Sequence, residues 1–282
     1  MQARRTAPRA ETWQVVVDGG VVGRTELRET DEEVTVLDVV LDVAREHTEV
    51  RRRHLGALRA LLDCRVIARG ADSWTLQVTG PGDAADLAAA ADLETASVRL
   101  ALDLRADAAG ASYEPGVEVR LAPMGAEAFE AFRVALTEDY IRERVGSGET
   151  EPAARRLVEQ QLADLLPDGA RSEGQHLFTA WARSGGRDDV VGHLWIALRP
   201  GRDDGAEAAP RAFVWSVEVV PEQRRRGYGA GLVLAGARWA REQGADVLGL
   251  HVFGHNTAAR ALYDRLGFEV VDATHRRRVA SS

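Results

Sequence analysis

Apolar and polar residues change their period several times along this chain, and each change marks an element. Trp13 to Val17 and Val21 to Leu27 are β-rich runs on either side of Asp18-Gly19-Gly20, a hairpin turn signal, and Val34 to Leu41 follows as a third strand. Leu55, Leu58 and Leu62 then recur at helical spacing. After them Arg65 to Ala68 and Trp74 to Val78 read as strands, Ala84 to Leu93 as a helix, and Val98 to Leu104 as a strand with one wet face.

The second half opens with a strand, Val117 to Leu121, and a helix, Glu127 to Arg144, that carries Phe129, Phe132, Ala135 and Leu136 on one face. Ser147 to Pro152 breaks that helix, and a second one, Ala153 to Leu166, stops at Pro167-Asp168-Gly169. Strands Leu177 to Ala182, Val190 to Leu198 and Phe213 to Val220 come next, separated by the polar turn Arg183 to Asp189 and the charged loop Pro200 to Pro210. Leu232, Ala235, Gly236, Trp239 and Ala240 then fall on one face of a helix that runs to Glu242, a face suited to packing on a sheet.

Between that last strand and helix lies Arg224-Arg225-Arg226-Gly227-Tyr228-Gly229-Ala230. Two glycines one residue apart let the backbone turn its N–H groups toward one point, and the helix adds the positive end of its dipole. The segment is therefore an anion site, with the amides of roughly Arg225 to Ala230 as donors and three arginines adding charge. Downstream, Asn256 is placed to cap a helix from Thr257 to Leu266, and Tyr263 lies about two turns further along the same face.

The segment Pro221 to Gly229 resembles the acetyl-CoA loop of the GCN5-related N-acetyltransferase (GNAT) family, Arg/Gln-x-x-Gly-x-Gly/Ala after a Val-rich strand. His255 to Phe268 is similar to that family's other signature, Asn-x-x-Ala-x-x-Leu-Tyr-x-x-x-Gly-Phe, in the family's order and spacing. The resemblance spans residues 116 to 275. It implies acetyl-CoA as co-substrate, with its phosphates at Arg224, Arg225, Arg226, Gly227, Tyr228, Gly229 and Ala230. It further implies that the backbone of Val219 and Val220 pairs with the pantetheine amides and that Asn256 also touches the cofactor arm. Tyr263 would be the general acid facing the sulfur, and the helices 127–144 and 153–166 would roof the acceptor site. By the same resemblance Glu218 is the general base, although strand alternation leaves its face undecided. His251 and His255 are rivals near the same end of the sheet.

The halves repeat one another. Val21-Val22-Gly23 has a counterpart in Val190-Val191-Gly192, Leu37 to Val40 in Val217 to Val220, and Arg51 to Ala57 in Arg224 to Ala230. The expected fold is α/β (α+β), two tandem GNAT-like mixed-sheet domains of which the N-terminal one is degenerate and shortened at its front. Its parts are a flexible N-terminus (1–12), the degenerate domain (13–105), a linker (106–115), the catalytic domain (116–275) and a tail (276–282). His54 stands where the second copy has Gly227, so its Cβ should obstruct a pyrophosphate. The first half also lacks a match to the Asn256 to Tyr263 signature, and a dead cofactor site is expected there.

A chain of 282 residues, 45% of them apolar, can fill two such cores. Its net charge of −8 argues against a nucleic-acid partner. The single cysteine, Cys64, excludes an internal disulfide and a cysteine-based zinc site; no metal is expected, and the apolar neighbours of Cys64 predict a buried thiol. No segment has the apolar length of a membrane span and Met1 to Arg9 lacks the core of a signal peptide, so a cytoplasmic protein without a membrane partner is expected. The protein is expected as a monomer or a homodimer.

These features predict an acetyl-CoA-dependent N-acetyltransferase that transfers acetyl directly, in a ternary complex, to a small-molecule or peptide amine, because no motif supplies a nucleophile for an acyl-enzyme. Alternatives are a mycothiol-synthase-like tandem acetyltransferase and a non-catalytic acyl-CoA-binding module, against which Tyr263 and the intact loop count. Glu138, Asp139, Glu143, Glu149 and Glu151, near the roof helices, would attract a cationic acceptor.

Overall fold

The computed structural model describes residues 10–29, 34–105, 116–146, 149–199 and 211–279. The expected linker, the loop Pro200 to Pro210, residues 1–9, the Ser147-Gly148 break and the last three residues lie outside them. The chain divides into two compact units, Met1–Val98 with Val271–Ser282 and Arg99–Val270.

Unit 1 begins with the expected hairpin. Strands β1 (Glu11–Val17) and β2 (Gly20–Glu29) pair antiparallel around Asp18 and Gly19, whose φ angles of 53° and 80° are those of a tight two-residue turn. Strand β3 (Val34–Leu41) pairs antiparallel with β2 and parallel with β4 (Ser73–Val78). Helix α1 (Thr48–Ala68) makes the crossover between the two parallel strands, and α2 (Asp83–Ala90) leads into β5 (Glu94–Asp103). The segment Arg65 to Ala68, expected as a strand, is the last turn of α1. Leu55, Leu58, Leu62 and Val66 form one continuous buried stripe, so helical packing overrides the local β-propensity. Cys64, expected to be buried, falls between Leu62 and Val66 on the opposite side of α1 and is exposed.

Unit 2 starts with β6 (Arg120–Pro123), which begins three residues later than expected, and continues with the long helices α3 (Ala126–Gly146) and α4 (Glu151–Leu165). Strands β7 (Gln175–Ser184), β8 (Arg187–Arg199) and β9 (Arg211–Val219) follow in antiparallel succession, and helix α5 (Tyr228–Glu242) crosses to β10 (Val247–Phe253), parallel to β9. Phe129, Phe132, Leu136 and Ile141 of α3 pack with Val158 and Leu162 of α4 over Trp195 of β8, whereas Ala135 faces solvent. Helix α5 lies on the other face of the sheet. A Cβ on Gly236 would come within 2.8 Å of Leu194 and one on Gly231 within 2.7 Å of Val119, so these two glycines set how closely α5 approaches.

Helix α6 (Thr257–Arg265) and strand β11 (Glu269–Arg278) complete the described chain. The expected tail from residue 276 is not a tail at its start. Ala273–Arg278 pair antiparallel with β4, and Arg277 bonds Asp63 at 3.1 Å and the carbonyl of Ala91 at 3.2 Å, all within unit 1.

Candidate active site

The site grows from a divergence of two parallel strands. Rungs between β9 and β10 run from Arg211–Val247 to Val214–Leu250 and stop there, although β9 continues to Val219 and β10 to Phe253. Beyond Val214 one edge of β9 therefore has no strand beside it. The N–H of Val220 donates to Val191 O at 3.1 Å while Gly192 lies opposite Val219. The alternation of an antiparallel ladder then turns the backbone groups of Val219 and Val217 away from β8 and toward the opening. Val220, expected to pair beside Val219, is already engaged on both sides: its N–H goes to Val191 and its carbonyl accepts from Gln223 at 2.9 Å. On the edge that faces the opening, Val217 is the next residue after Val219.

At the end of β9 the chain turns through Arg225 (φ 64°) and Gly227 (φ 86°), two left-handed residues separated by Arg226. Gly227 is the N-cap of α5, and the first helical bond runs from Gly231 N to Gly227 O at 3.3 Å. The N–H groups of Tyr228, Gly229 and Ala230 therefore precede the helix's own bonding and point out of its positive end. The arginines divide their tasks. Arg224 folds back, with Nε on Val219 O at 3.0 Å and its terminal nitrogen 3.7 Å from Glu218; Arg226 holds Gln223 at 3.1 Å. Arg225 is exposed at the left-handed corner of the loop.

Helix α6 closes the other side. Asn256 caps it as expected, its side-chain oxygen accepting from Ala259 N at 3.1 Å. Tyr263 is buried, its ring 5.4 Å from that of Phe268, and burial pushes its phenol up to about 12. Its neighbour Tyr140, which the sequence reading did not single out, donates its hydroxyl to Trp215 O. Burial raises the Tyr140 phenol well above the ordinary range, Arg144 pulls it back, and the nearby Tyr263 adds to the rise.

The face of Glu218 is now defined. It lies in register opposite His193, whose ring is 5.8 Å from Phe132 of α3, so it faces the α3 side. Val219 faces the other way, its side chain within 3.9 Å of where a Cβ on Gly229 of α5 would sit. Burial raises the Glu218 carboxyl above the usual range, nearby Asp139 adds to the rise and Arg224 opposes it. Burial likewise lowers His193, leaving a neutral imidazole beside Glu218. Of the rival bases, His255 is held by Glu143 at 2.5 Å and stacks on Phe253, while His251 is exposed on β10. The acidic residues expected to attract a cation are paired: Asp139 with Arg142, Glu149 with Arg144, and Glu138 and Glu151 with Arg155.

Among the described residues no group of three or more His, Cys, Asp or Glu is placed to hold a metal ion, and no helix is long and apolar enough to cross a membrane. A cavity of about 520 Å³ lies apart from this chemistry, in unit 1, between the ends of β3 and β4.

The model of the acetyltransferase (GNAT) family matches residues 133–268. An uncharacterized N-acetyltransferase of Bacillus subtilis, YycN, is 33% identical over 155 residues, which are 55% of this chain and 94% of YycN. In the crystal structure of YycN, 92% of that chain and 54% of this one are covered, at 32% identity and a TM-score of 0.47. A mycothiol acetyltransferase of Clavibacter michiganensis is 31% identical over 245 residues, 85% of this chain and 71% of that protein. The chain belongs to the GNAT acetyltransferase family. It is an acyltransferase that uses acetyl-CoA.

Proposed function

We propose that unit 2 transfers acetyl directly to an amine held under α3 and α4, with the opening between β9 and β10 as the acetyl-CoA site. The observation that carries this reading is the parting of β9 from β10 after Val214 next to the left-handed pair Arg225 and Gly227. The free edge of β9 suits the pantetheine amides, as an added strand would pair, and the amides of Tyr228, Gly229 and Ala230 suit the phosphates. Acetyl-CoA supplies the activated acyl group; this chain supplies position and proton transfer.

Because the loop follows Val219, the arm would run back along β9 from its phosphates. Val219 N–H is then nearest the pantetheine and Val217 N–H nearest the thioester carbonyl, where a developing negative charge needs a donor. Glu218 takes the proton that the attacking amine loses, through a water if the gap requires one. Tyr263 holds its proton toward the departing sulfur. As the new C–N bond forms and the C–S bond breaks, one proton leaves the nitrogen and one reaches the sulfur. Turnover of a panel of amines with acetyl-CoA tests the reading, and a chain that binds acetyl-CoA yet acetylates none of them would count against it.

Glu218 must be ionised to act as base. Its raised pKa places the rising limb of the kcat/KM–pH profile above the ordinary carboxylate range. Removing the cation that opposes the rise, in Arg224→Gln, should move that limb to higher pH, while Glu218→Gln should remove it. An unmoved limb in Glu218→Gln would reassign the base to His193 or His255.

The first unit reads as a degenerate copy, and its ladder irregularities support this more closely than the sequence matches did. The β1–β2 register skips Val22 and the β7–β8 register skips Val191; β2–β3 skips Leu37 and β8–β9 skips Trp215. The parallel rungs stop at Val36–Leu76 in one unit and at Val214–Leu250 in the other. A Cβ on Gly23 would lie 2.2 Å from Val40 O, and one on Gly192 2.1 Å from Glu218 O. By this correspondence Leu37 matches Trp215 and not Val217 as the residue alignment has it, and Val39 and Leu41 match Val217 and Val219. Their N–H groups are occupied from within, by Asp38 at 2.9 Å and Asp83 at 2.7 Å, and the buried Arg51 clamps Asp83.

The same correspondence corrects the expected role of His54. Arg51 to His54 lie inside α1, whose N-cap is His47, so His54 does not stand at the place of Gly227. What closes the first cleft is the carboxylate pair on the strand edge.

A second reading of the acceptor draws on the extent of the match. The resemblance to the Clavibacter mycothiol acetyltransferase runs over 85% of this chain, whereas that to YycN covers 55%. On this reading the acceptor is of the kind that mycothiol acetyltransferases use, and a direct comparison of kcat/KM for that acceptor against simple amines decides it.

A further inference from the structure

We propose that Tyr140 is a positioning residue that holds the strand opening in its cofactor-accepting shape; this rests on the reading of the β9–β10 opening as the acetyl-CoA site. Three observations meet at one atom, the carbonyl oxygen of Trp215. Trp215 is the first residue beyond the last β9–β10 rung at Val214. It is also the residue that the β8–β9 register skips between Val214 and Ser216, so it belongs to neither ladder. The hydroxyl of Tyr140 donates to its carbonyl.

A bulged residue bends its strand, and a carbonyl left out of both ladders needs a donor where water has little access. Tyr140 supplies that donor from α3, a helix otherwise fixed by Phe129, Phe132, Leu136 and Ile141 in the unit 2 core. The phenol thereby ties the bulge to a rigid support. The bulge sets the direction of Ser216 to Val219, and so where the two N–H groups that face the opening are aimed.

The role is one of geometry and not of proton transfer. Nothing in it requires Tyr140 to touch the reacting atoms, and the expected signature is a split between KM and kcat. In Tyr140→Phe the ring remains and the hydrogen bond is lost. KM for acetyl-CoA should rise about 10-fold, the scale of one lost bond to a buried carbonyl. KM for the acceptor and kcat at saturating acetyl-CoA should stay within about 2-fold.

Calorimetry of acetyl-CoA binding accompanies the kinetics, with Gly227→Trp measured in parallel. Loss of binding in Gly227→Trp together with about 10-fold weaker binding in Tyr140→Phe would support the proposal. Loss in Gly227→Trp with unchanged affinity in Tyr140→Phe would overturn the positioning role and leave the cofactor site standing. Wild-type affinity in Gly227→Trp would instead overturn the site on which the proposal rests. A kcat loss of about 100-fold in Tyr140→Phe at unchanged KM would also overturn it, since that is the mark of a group acting in the chemical step.

Discussion

Gly227→Trp is expected to abolish acetyl-CoA binding in a chain that otherwise binds one molecule. Gly227 sits at φ 86°, a conformation that costs an ordinary L-residue about 1–2 kcal/mol. A change of backbone there would swing the N–H groups of Tyr228, Gly229 and Ala230 away from their common point. Space adds no clash: a Cβ at Gly227 meets only Val117, at 3.6 Å, so the cost to the fold is that of the backbone conformation, while the indole would lie across the donors. The fold and the site are therefore separable in this variant. At acetyl-CoA one hundred times its dissociation constant, the wild type should gain about 2.7 kcal/mol of stability by binding linkage, seen as a raised Tm, and the variant should gain none. Titration calorimetry gives the stoichiometry directly. Two sites per chain would contradict the internal occupation of Val39 and Leu41 by Asp38 and Asp83, and an unchanged affinity in the variant would contradict the loop as the phosphate site.

The sequence points to a single site by a different route from the structure. Aligned by residue type, Arg51 to Arg53 match Arg224 to Arg226 and His54 falls at the place of Gly227. Residue type guided that alignment, but Arg51 is a buried helical residue clamping Asp83 and Arg224 is an exposed loop residue folded back on Val219. The correspondence that the backbone displays is one of skipped residues, at Val22 and Val191 and at Leu37 and Trp215, and a bulge leaves no reliable mark in a single sequence. By contrast, β3 is bounded as expected because its alternation is clean at both ends, and Asn256 caps α6 because capping is a local matter of one side chain and one amide.

Other misses have equally definite causes. Arg65 to Ala68 contains two β-branched residues, yet it continues the Leu55, Leu58, Leu62 stripe by one turn, and the longer pattern prevails. Thr274 to Arg278 is too polar to read as a strand. It becomes one because β4 offers a paired edge and Asp63 accepts Arg277. Tyr140 could have been found: Phe129, Phe132 and Leu136 occupy one helical face, and Tyr140 is the next position on it, a phenol where the pattern calls for an apolar residue. The face of Glu218 could not have been found, since alternation relates neighbours on a strand to one another and does not say which side carries α3.

Tyr263→Phe is expected to leave acetyl-CoA affinity intact and to lower kcat by about 100-fold, the usual scale for removing a positioned acid or base. The ring is buried against Phe268 and would remain so in the variant; only the hydroxyl is lost. Burial that pushes the phenol up to about 12 keeps it protonated from the pH at which Glu218 ionises up to that value, so donor and base coexist in their working states over that range. A phenol of that pKa is a reluctant acid toward a free thiolate. On the proposed mechanism it would therefore act chiefly by hydrogen bonding to the sulfur as charge develops, with proton transfer completing the step, and this predicts an effect on kcat with little on KM. Acyl donors offer a further check. A thioester with a better leaving group needs less help at sulfur, so its kcat should fall less in Tyr263→Phe than that of acetyl-CoA. Wild-type kcat for acetyl-CoA in the variant would make Tyr263 a core tyrosine, and the proton at sulfur would then have to come from water or His255.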